Sequence, residues 1–271
     1  LAAQLANLAN NGLTWLLHDF ETISRCDSAL HDHPQGLGED WAVRGWYRLL
    51  SEFRAQFSDV WIENCWNGGR PLDLQMIAHH DTTIGDDFCD VRHNAVAKVG
   101  LGQYLPAHWC SSYMSDQNSL TLRSQLAIYA VGGPWILMGD IPNWSAEKLK
   151  LAKRVIEVYR AWRSIFPSGS VRWAELTGWR ADARWRADQE VLAISFVHES
   201  GKELMACVVT EQLGGDEIRW HPVYKGAVRV TDEFTGETRD YDESEILAGI
   251  AIPSSSADGH LLSAAPKTTI E

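Results

Sequence analysis

The sequence predicts an α/β chain in two parts: a partial (β/α)₈ TIM barrel, then a C-terminal antiparallel β-sandwich of about one hundred residues. Three observations carry this. Between residues 13 and 138, short apolar runs alternate with amphipathic stretches, the pattern of strand–helix units that build parallel sheets. The run at residues 60–62 turns abruptly into a polar cluster and a glycine pair, as strands do at the barrel end where active sites sit. After Pro167-Ser168-Gly169 the runs become short and β-rich, separated by Gly, Asp and Ser, as in a sandwich. The boundary is therefore placed between residues 166 and 167, with the sandwich and a polar tail filling 167–271.

Taken in order, residues 1–10 carry apolar positions at helical spacing without Gly or Pro, and Asn11-Gly12 makes a C-cap. Leu13–Leu17 reads as a buried parallel strand ending in His18-Asp19. Residues 26–40, rich in Asp, His, Gly and Pro, read as a loop. There His31, Asp32 and His33 are expected to be solvated rather than metal-bound, because no matching partner lies nearby. Val43, Trp46, Leu50, Phe53 and Phe57 recur at helical spacing and feed a strand over 60–65. A short helix over 72–80, a strand end over 82–87, a helix over 92–98, a strand over 101–109, a helix over 120–131 and a strand over 134–138 complete the alternation. Ser145 is placed to cap a helix running to Phe166. That makes five strands where a closed barrel has eight. In the second part, strands are expected over 191–197, 204–210, 223–230 and 246–252, with a disordered polar tail from Ser254.

Composition bounds the function. At 271 residues and 45% hydrophobic content, the chain can bury a sizeable core. A net charge of −12 without a Lys/Arg cluster argues against nucleic acid and anionic membranes as partners, and solubility accounts for the charge. No apolar run approaches the ~20 residues of a membrane helix, and no signal peptide is visible, so a cytoplasmic location is expected. The first residue is Leu rather than Met, as expected of a start that was removed or never captured. Five cysteines (26, 65, 89, 110 and 207) without a CxxC spacing read as free thiols. Of the thirteen tryptophans, most belong to the core and two or three suit a sugar site.

The most informative stretch is 60–90, VWIENCWNGGRPLDLQMIAHHDTTIGDDFCD. Glu63-Asn64-Cys65-x-x-Gly68-Gly69-Arg70, the following Asp73 and the Asp pair at the next strand end resemble glycoside hydrolase family 36, the α-galactosidases and their relatives. The resemblance implies that the acid/base is Asp87, fourteen positions beyond Asp73, with Asp86 as the alternative. It also implies that Asp90 matches a further family Asp. The nucleophile is implied to be Asp19, since His18-Asp19-Phe20 is the stretch placed to match. Cys65 and the Gly68 turn correspond to the loop that approaches the sugar's 2-substituent, with Asn64, Trp66 and Asp86 beside it. Trp66 stands where relatives have a small residue; it either fills part of the sugar pocket or points outward. Taken alone, Cys65 would be a small buried hydrophobe. The first strand here would be the fourth of the barrel, so the first three are lacking.

The chemistry this implies is retaining hydrolysis of α-galactosides, with one carboxylate as nucleophile and one as acid/base, and no cofactor or metal. His79-His80-Asp81 is not expected to bind a metal, since adjacent helical histidines point apart. Asp116, Asp140 and His108 lie near other strand ends and are weaker substrate contacts. One departure stands out: relatives carry a Lys two positions before the nucleophile, and here that position is Leu17. Two further readings follow. One is a related α-glycosidase or transglycosylase with changed sugar specificity. The other is a non-catalytic chain whose open sheet needs a homo-oligomer or a missing N-terminal segment to cover it.

Overall fold

The structure is a computed structural model that describes residues 1–19, 28–30, 32–69, 72–85, 87, 89–178, 191–210, 218–253 and 258–267. The chain divides into two compact units, Leu1–Asp87 and Phe88–Glu271. Among the described residues, no helix is long and apolar enough to cross a membrane. Cys65, Cys89, Cys110 and Cys207 are free thiols, while Cys26, His31 and Arg70 lie outside the described residues.

The first unit contains helices α1 (Ala2–Asn10), α2 (Gly38–Gln56), α3 (Trp66–Gly69) and α4 (Leu74–His79) and strands β1 (Trp15–His18), β2 (Trp61–Asn64) and β3 (Thr82–Ile84). β1 and β2 pair in parallel with Leu16 opposite Ile62 and His18 opposite Asn64, and β2 pairs with β3 with Asn64 opposite Thr83. Side chains alternate along a strand. Leu16 and Ile62 therefore face the helices, in a core with Leu5, Leu50, Phe53 and Val60. Trp46, Leu49, Leu50, Phe53 and Phe57 supply the α2 stripe to that core. Leu50 and Ile62 are fully buried, each worth about 1.5–3 kcal/mol relative to exposure. The other face of β1 presents Trp15 and Leu17, which remain 38% and 43% exposed.

An arginine pins these layers. Arg54 on α2 donates to the carbonyls of His79 (3.1 Å) and Val60 (3.0 Å) and pairs with Asp81, which also accepts Ile62 N–H at 2.8 Å. The first strand is displaced from the expected 13–17: it starts at Trp15 and includes His18. Leu13 instead packs with the helices.

The second unit opens with α5 (Val91–Leu101), β4 (Cys110–Ser115), α6 (Leu122–Ala130), β5 (Trp135–Met138) and α7 (Ala146–Trp162), and β4 and β5 pair in parallel. The expected strand over 101–109 is not formed. Gly102 ends α5, Ala107–Trp109 makes a 3₁₀ turn after Pro106, and the strand is the next segment, CSSYMS. Its serines hid it: Ser111 and Ser112 are buried although the sequence looks polar. Ser145 caps α7 as expected, accepting Lys148 N–H at 3.3 Å.

The remaining strands are β6 (Gly169–Trp173), β7 (Leu176–Thr177), β8 (Val191–His198), β9 (Glu203–Val209), β10 (Ile218–Trp220), β11 (Val228–Asp232), β12 (Thr238–Tyr241), β13 (Ile250–Ile252) and β14 (Asp258–Pro266), with helix α8 (Glu243–Ala248). They form a six-stranded sheet, β12-β11-β14-β9-β8-β6, and a three-stranded sheet, β13-β10-β7. Among the described residues these strands pair antiparallel. β8 and β9 are buried on both faces. Leu192, Ile194, Phe196, Leu204, Ala206 and Val208 join the helical core. Val191, Ala193, Met205, Cys207 and Val209 join a core with Ile218, Trp220, Ile250 and Ile252 of the smaller sheet.

Three expectations here need correction. Residues 258–266 are not a disordered tail but a strand between β9 and β11. Residues 254–257 and 268–271 lie outside the described residues. The expected strand at 246–252 is a helix end followed by a three-residue strand. Asp242 and Glu245 form a reciprocal capping box that starts α8 ahead of it. The strand expected from Val223 begins only at Val228.

Candidate functional site

The site is assembled at the C-terminal ends of β1, β2 and β3. The parallel register places His18 beside Asn64 and Asn64 beside Thr83, so Asp19, Cys65 and the segment after Ile84 leave their strands at one level. Asp19 and Asp87 are exposed there, and Cys65 is buried. The Cys65 thiol lies within the field of both the Asp19 and the Asp87 carboxylates. Its pKa is pushed up to about 12, first by burial and then by the two carboxylates; the Gly68 N–H that reaches its sulfur works the other way. The thiol is therefore held neutral beside two acids and is not a thiolate nucleophile.

The glycine pair is required twice over. Gly68 and Gly69 have φ of +77° and +74°, a region that favours glycine. A Cβ on Gly68 would stand 3.0 Å from Asp87 Oδ2, and one on Gly69 would stand 2.1 Å from the Ile84 carbonyl oxygen. The turn thus lies directly against the end of β3 and the Asp87 carboxylate. It is held at its start by Gly69 N–H donating to Cys65 O at 2.5 Å.

Asp73, the anchor of the sequence count, is the N-cap of α4. It accepts Gln75 N–H and Met76 N–H at 2.8 and 2.9 Å and the Tyr47 hydroxyl at 2.5 Å. Asp90 likewise caps α5, accepting Arg92 N–H at 2.8 Å and His93 N–H at 3.2 Å.

Of the residues singled out in the sequence, Asp19, Cys65, Gly68 and Asp87 are brought together. Asn64 and Trp66 are placed otherwise. Asn64 is buried and donates to Thr83 Oγ1 at 3.0 Å, tying β2 to β3. Trp66 is buried with its ring 5.5 Å from that of His18, whose side chain leaves β1 on the face opposite Leu17 and Asp19. Asp86 lies outside the described residues. In the second unit, Asp116 accepts the Trp144 indole N–H at 2.5 Å and Asp140 N–H at 3.1 Å, and Asp140 accepts the Asn143 amide. His108 belongs to the 3₁₀ turn before β4, not to a strand end. Among the described residues, no group of three or more His, Cys, Asp or Glu side chains is placed to hold a metal ion.

Sequence reasoning missed the pair behind Asp19. His18 and His80 are both buried, and their rings meet at 3.0 Å, Nδ1 to Nε2. Sixty-two positions separate them, and no local pattern links residues so far apart.

No protein-family model matches the sequence, and no curated protein sequence matches it. Solved structures do. The α-galactosidase from Lactobacillus brevis matches with a TM-score of 0.80 at 16% identity, over 100% of this chain and 38% of that one. The family 36 α-galactosidase AgaB from Geobacillus stearothermophilus matches with a TM-score of 0.78 at 18% identity, over 97% of this chain and 36% of that one. A variant of AgaA from the same organism, solved with raffinose, matches with a TM-score of 0.77 at 17% identity, over 96% and 37% of the two chains. The fold is therefore that of a part of these proteins, a partial TIM barrel with a C-terminal antiparallel region. The chain spans little more than a third of their length.

Proposed function

We propose that this chain carries the two-carboxylate centre of a retaining glycosidase acting on α-galactosides, with Asp19 as nucleophile and Asp87 as acid/base. The observation that supports it best is the Cys65 thiol, which lies in the fields of both Asp19 and Asp87, with Asp87 set against the Gly68 turn. A thiol that feels both acids supports reading them as one pair in the first unit. Retaining hydrolysis needs two carboxyl groups about 5–5.5 Å apart on opposite sides of one glycosidic bond. Asp19 attacks the anomeric carbon while Asp87 protonates the leaving oxygen. Asp87 then takes a proton from the water that releases the sugar from Asp19. The fold likeness to α-galactosidases, one solved with raffinose, supports the substrate class. It also supports reading the two antiparallel sheets as the sandwich that follows the barrel.

The test is hydrolysis of an aryl α-galactoside by the unmutated chain and by Asp19→Asn and Asp87→Asn. Loss of turnover in both variants is expected; a full rate in either removes that residue from the assignment.

A second reading, the same chemistry on another α-glycoside, is favoured by Leu17. It lies on the Asp19 face of β1, opposite Glu63, and is 43% exposed. An aliphatic side chain there offers no donor to a sugar hydroxyl. A substrate panel in which α-galactosides are the best substrates would remove this reading.

A further inference from the structure

We propose that His80, acting through His18, is a positioning residue for the Asp19 carboxylate. The inference rests on Asp19 being the nucleophile and adds a part of the site to which no role has been assigned above.

The hydrogen-bond chemistry fixes both rings. His80 Nδ1 lies 2.8 Å from the Met76 carbonyl oxygen, which only accepts, so Nδ1 carries the proton. His80 Nε2 is then the acceptor, and it lies 3.0 Å from His18 Nδ1, which must therefore donate. The order is His18 N–H to His80 and His80 N–H to Met76, with α4 as the fixed end. The His18 ring is also packed by Trp46 and Trp66, with ring centroids at 4.4 and 5.5 Å. Its carbonyl oxygen accepts Cys65 N–H at 2.9 Å. Both the side chain and the following peptide plane of His18 are thus held, and Asp19 hangs directly from that plane. The same Cys65 whose N–H fixes the plane has its thiol in the field of the Asp19 carboxylate.

The relay works with neutral rings. Burial holds both His18 and His80 down to about 4. For His18, His80 acts in the same direction and Asp19 against it. For His80, Arg54 and His79 lower it further, while the Met76 bond and Asp81 oppose. A proton on His80 Nε2 would face two N–H groups towards each other and break the chain.

Cys65 is the reporter, because its thiol pKa senses whether Asp19 is in place. The experiment is peptide-resolved iodoacetamide alkylation across pH in the whole chain and in two variants. His80→Asn keeps a donor for Met76 O but cannot reach His18. His80→Gln puts an amide oxygen where Nε2 was. In the Asn variant Asp19 moves away, so the Cys65 titration midpoint should fall and alkylation at fixed pH should rise about tenfold. The Gln variant should stay near the unmutated protein. Looser packing alone would hydrate the thiol and lower the midpoint in both variants alike, and buried Cys207 checks that the chain is folded.

An unmoved midpoint in His80→Asn, or an equal shift in both variants, would overturn the proposal. So would imidazole ¹⁵N shifts of the unmutated protein showing either ring protonated at Nε2, a result that needs no variant. If the chain hydrolyses α-galactosides, His80→Asn should lower kcat more than it changes KM. Absence of hydrolysis in the unmutated chain would remove the glycosidase reading while leaving the Cys65 result standing.

Discussion

The Cys65 thiol lies in the fields of the Asp19 and Asp87 carboxylates and is kept protonated first by burial and then by those two charges. A cysteine in this position is a sensor of both acids. In Asp19→Asn the thiol loses its largest carboxylate neighbour, so its pKa must fall from about 12. Alkylation of Cys65 near neutral pH should be slow in the unmutated chain and faster in Asp19→Asn, with Asp87→Asn giving a smaller change. Peptide mapping after timed alkylation checks the order.

The glycine turn gives a steric prediction. Gly68→Ala meets both an unfavourable positive φ and the Asp87 carboxylate at 3.0 Å. It should destabilise by about 1–2 kcal/mol and impair any hydrolysis by displacing Asp87. Gly69→Ala should be worse, because its Cβ meets the Ile84 carbonyl at 2.1 Å and backbone cannot yield as a side chain does. Denaturant midpoints for the two variants test the ranking.

The histidine pair makes stability depend on pH in a defined window. Burial holds both rings down to about 4 in the folded chain, against the ordinary histidine value of 6.5. Between those values the unfolded chain binds more protons, so stability falls as pH drops through the window. Above 6.5 their contribution is fully present. The loss should be on the order of a few kcal/mol for the pair. It should be shallower in His80→Gln, which has one titrating ring fewer. Urea unfolding at several pH values measures both slopes.

In the second unit, Lys98 is buried and donates to the Val131, Tyr129 and Ile128 carbonyls at 2.8, 3.3 and 3.5 Å, closing the C-terminus of α6. Lys98→Met keeps the volume and leaves those carbonyls without that donor. It should cost about 1–3 kcal/mol, read as a lower denaturant midpoint with the first unit's alkylation pattern unchanged.

Much of this was legible in the residues. Apolar periodicity found α2 and α7 because their apolar residues recur at helical spacing, and the polar break at Glu63-Asn64-Cys65 marked a strand end. Positions with mixed signals were misread. β4 is written in serines that are buried. β14 has a polar start and small residues, and it is a strand only because β9 and β11 flank it. Within the site, the count from Asp73 led to Asp87, which the structure sets against Gly68. Asn64, expected beside the loop that approaches the sugar, shares its face with His18 by period-two alternation and bonds Thr83. The His18–His80 bond joins the end of β1 to the C-terminus of α4 through tertiary structure alone.

The most direct measurement of the central claim is covalent trapping. The chain would be incubated with a slow fluorinated α-galactosyl substrate, digested and mapped by mass spectrometry. The account predicts one galactosyl adduct on the peptide bearing Asp19, absent in Asp19→Asn and formed more slowly in Asp87→Asn. An adduct on another carboxylate, or none at all, would contradict Asp19 as the nucleophile of this chain.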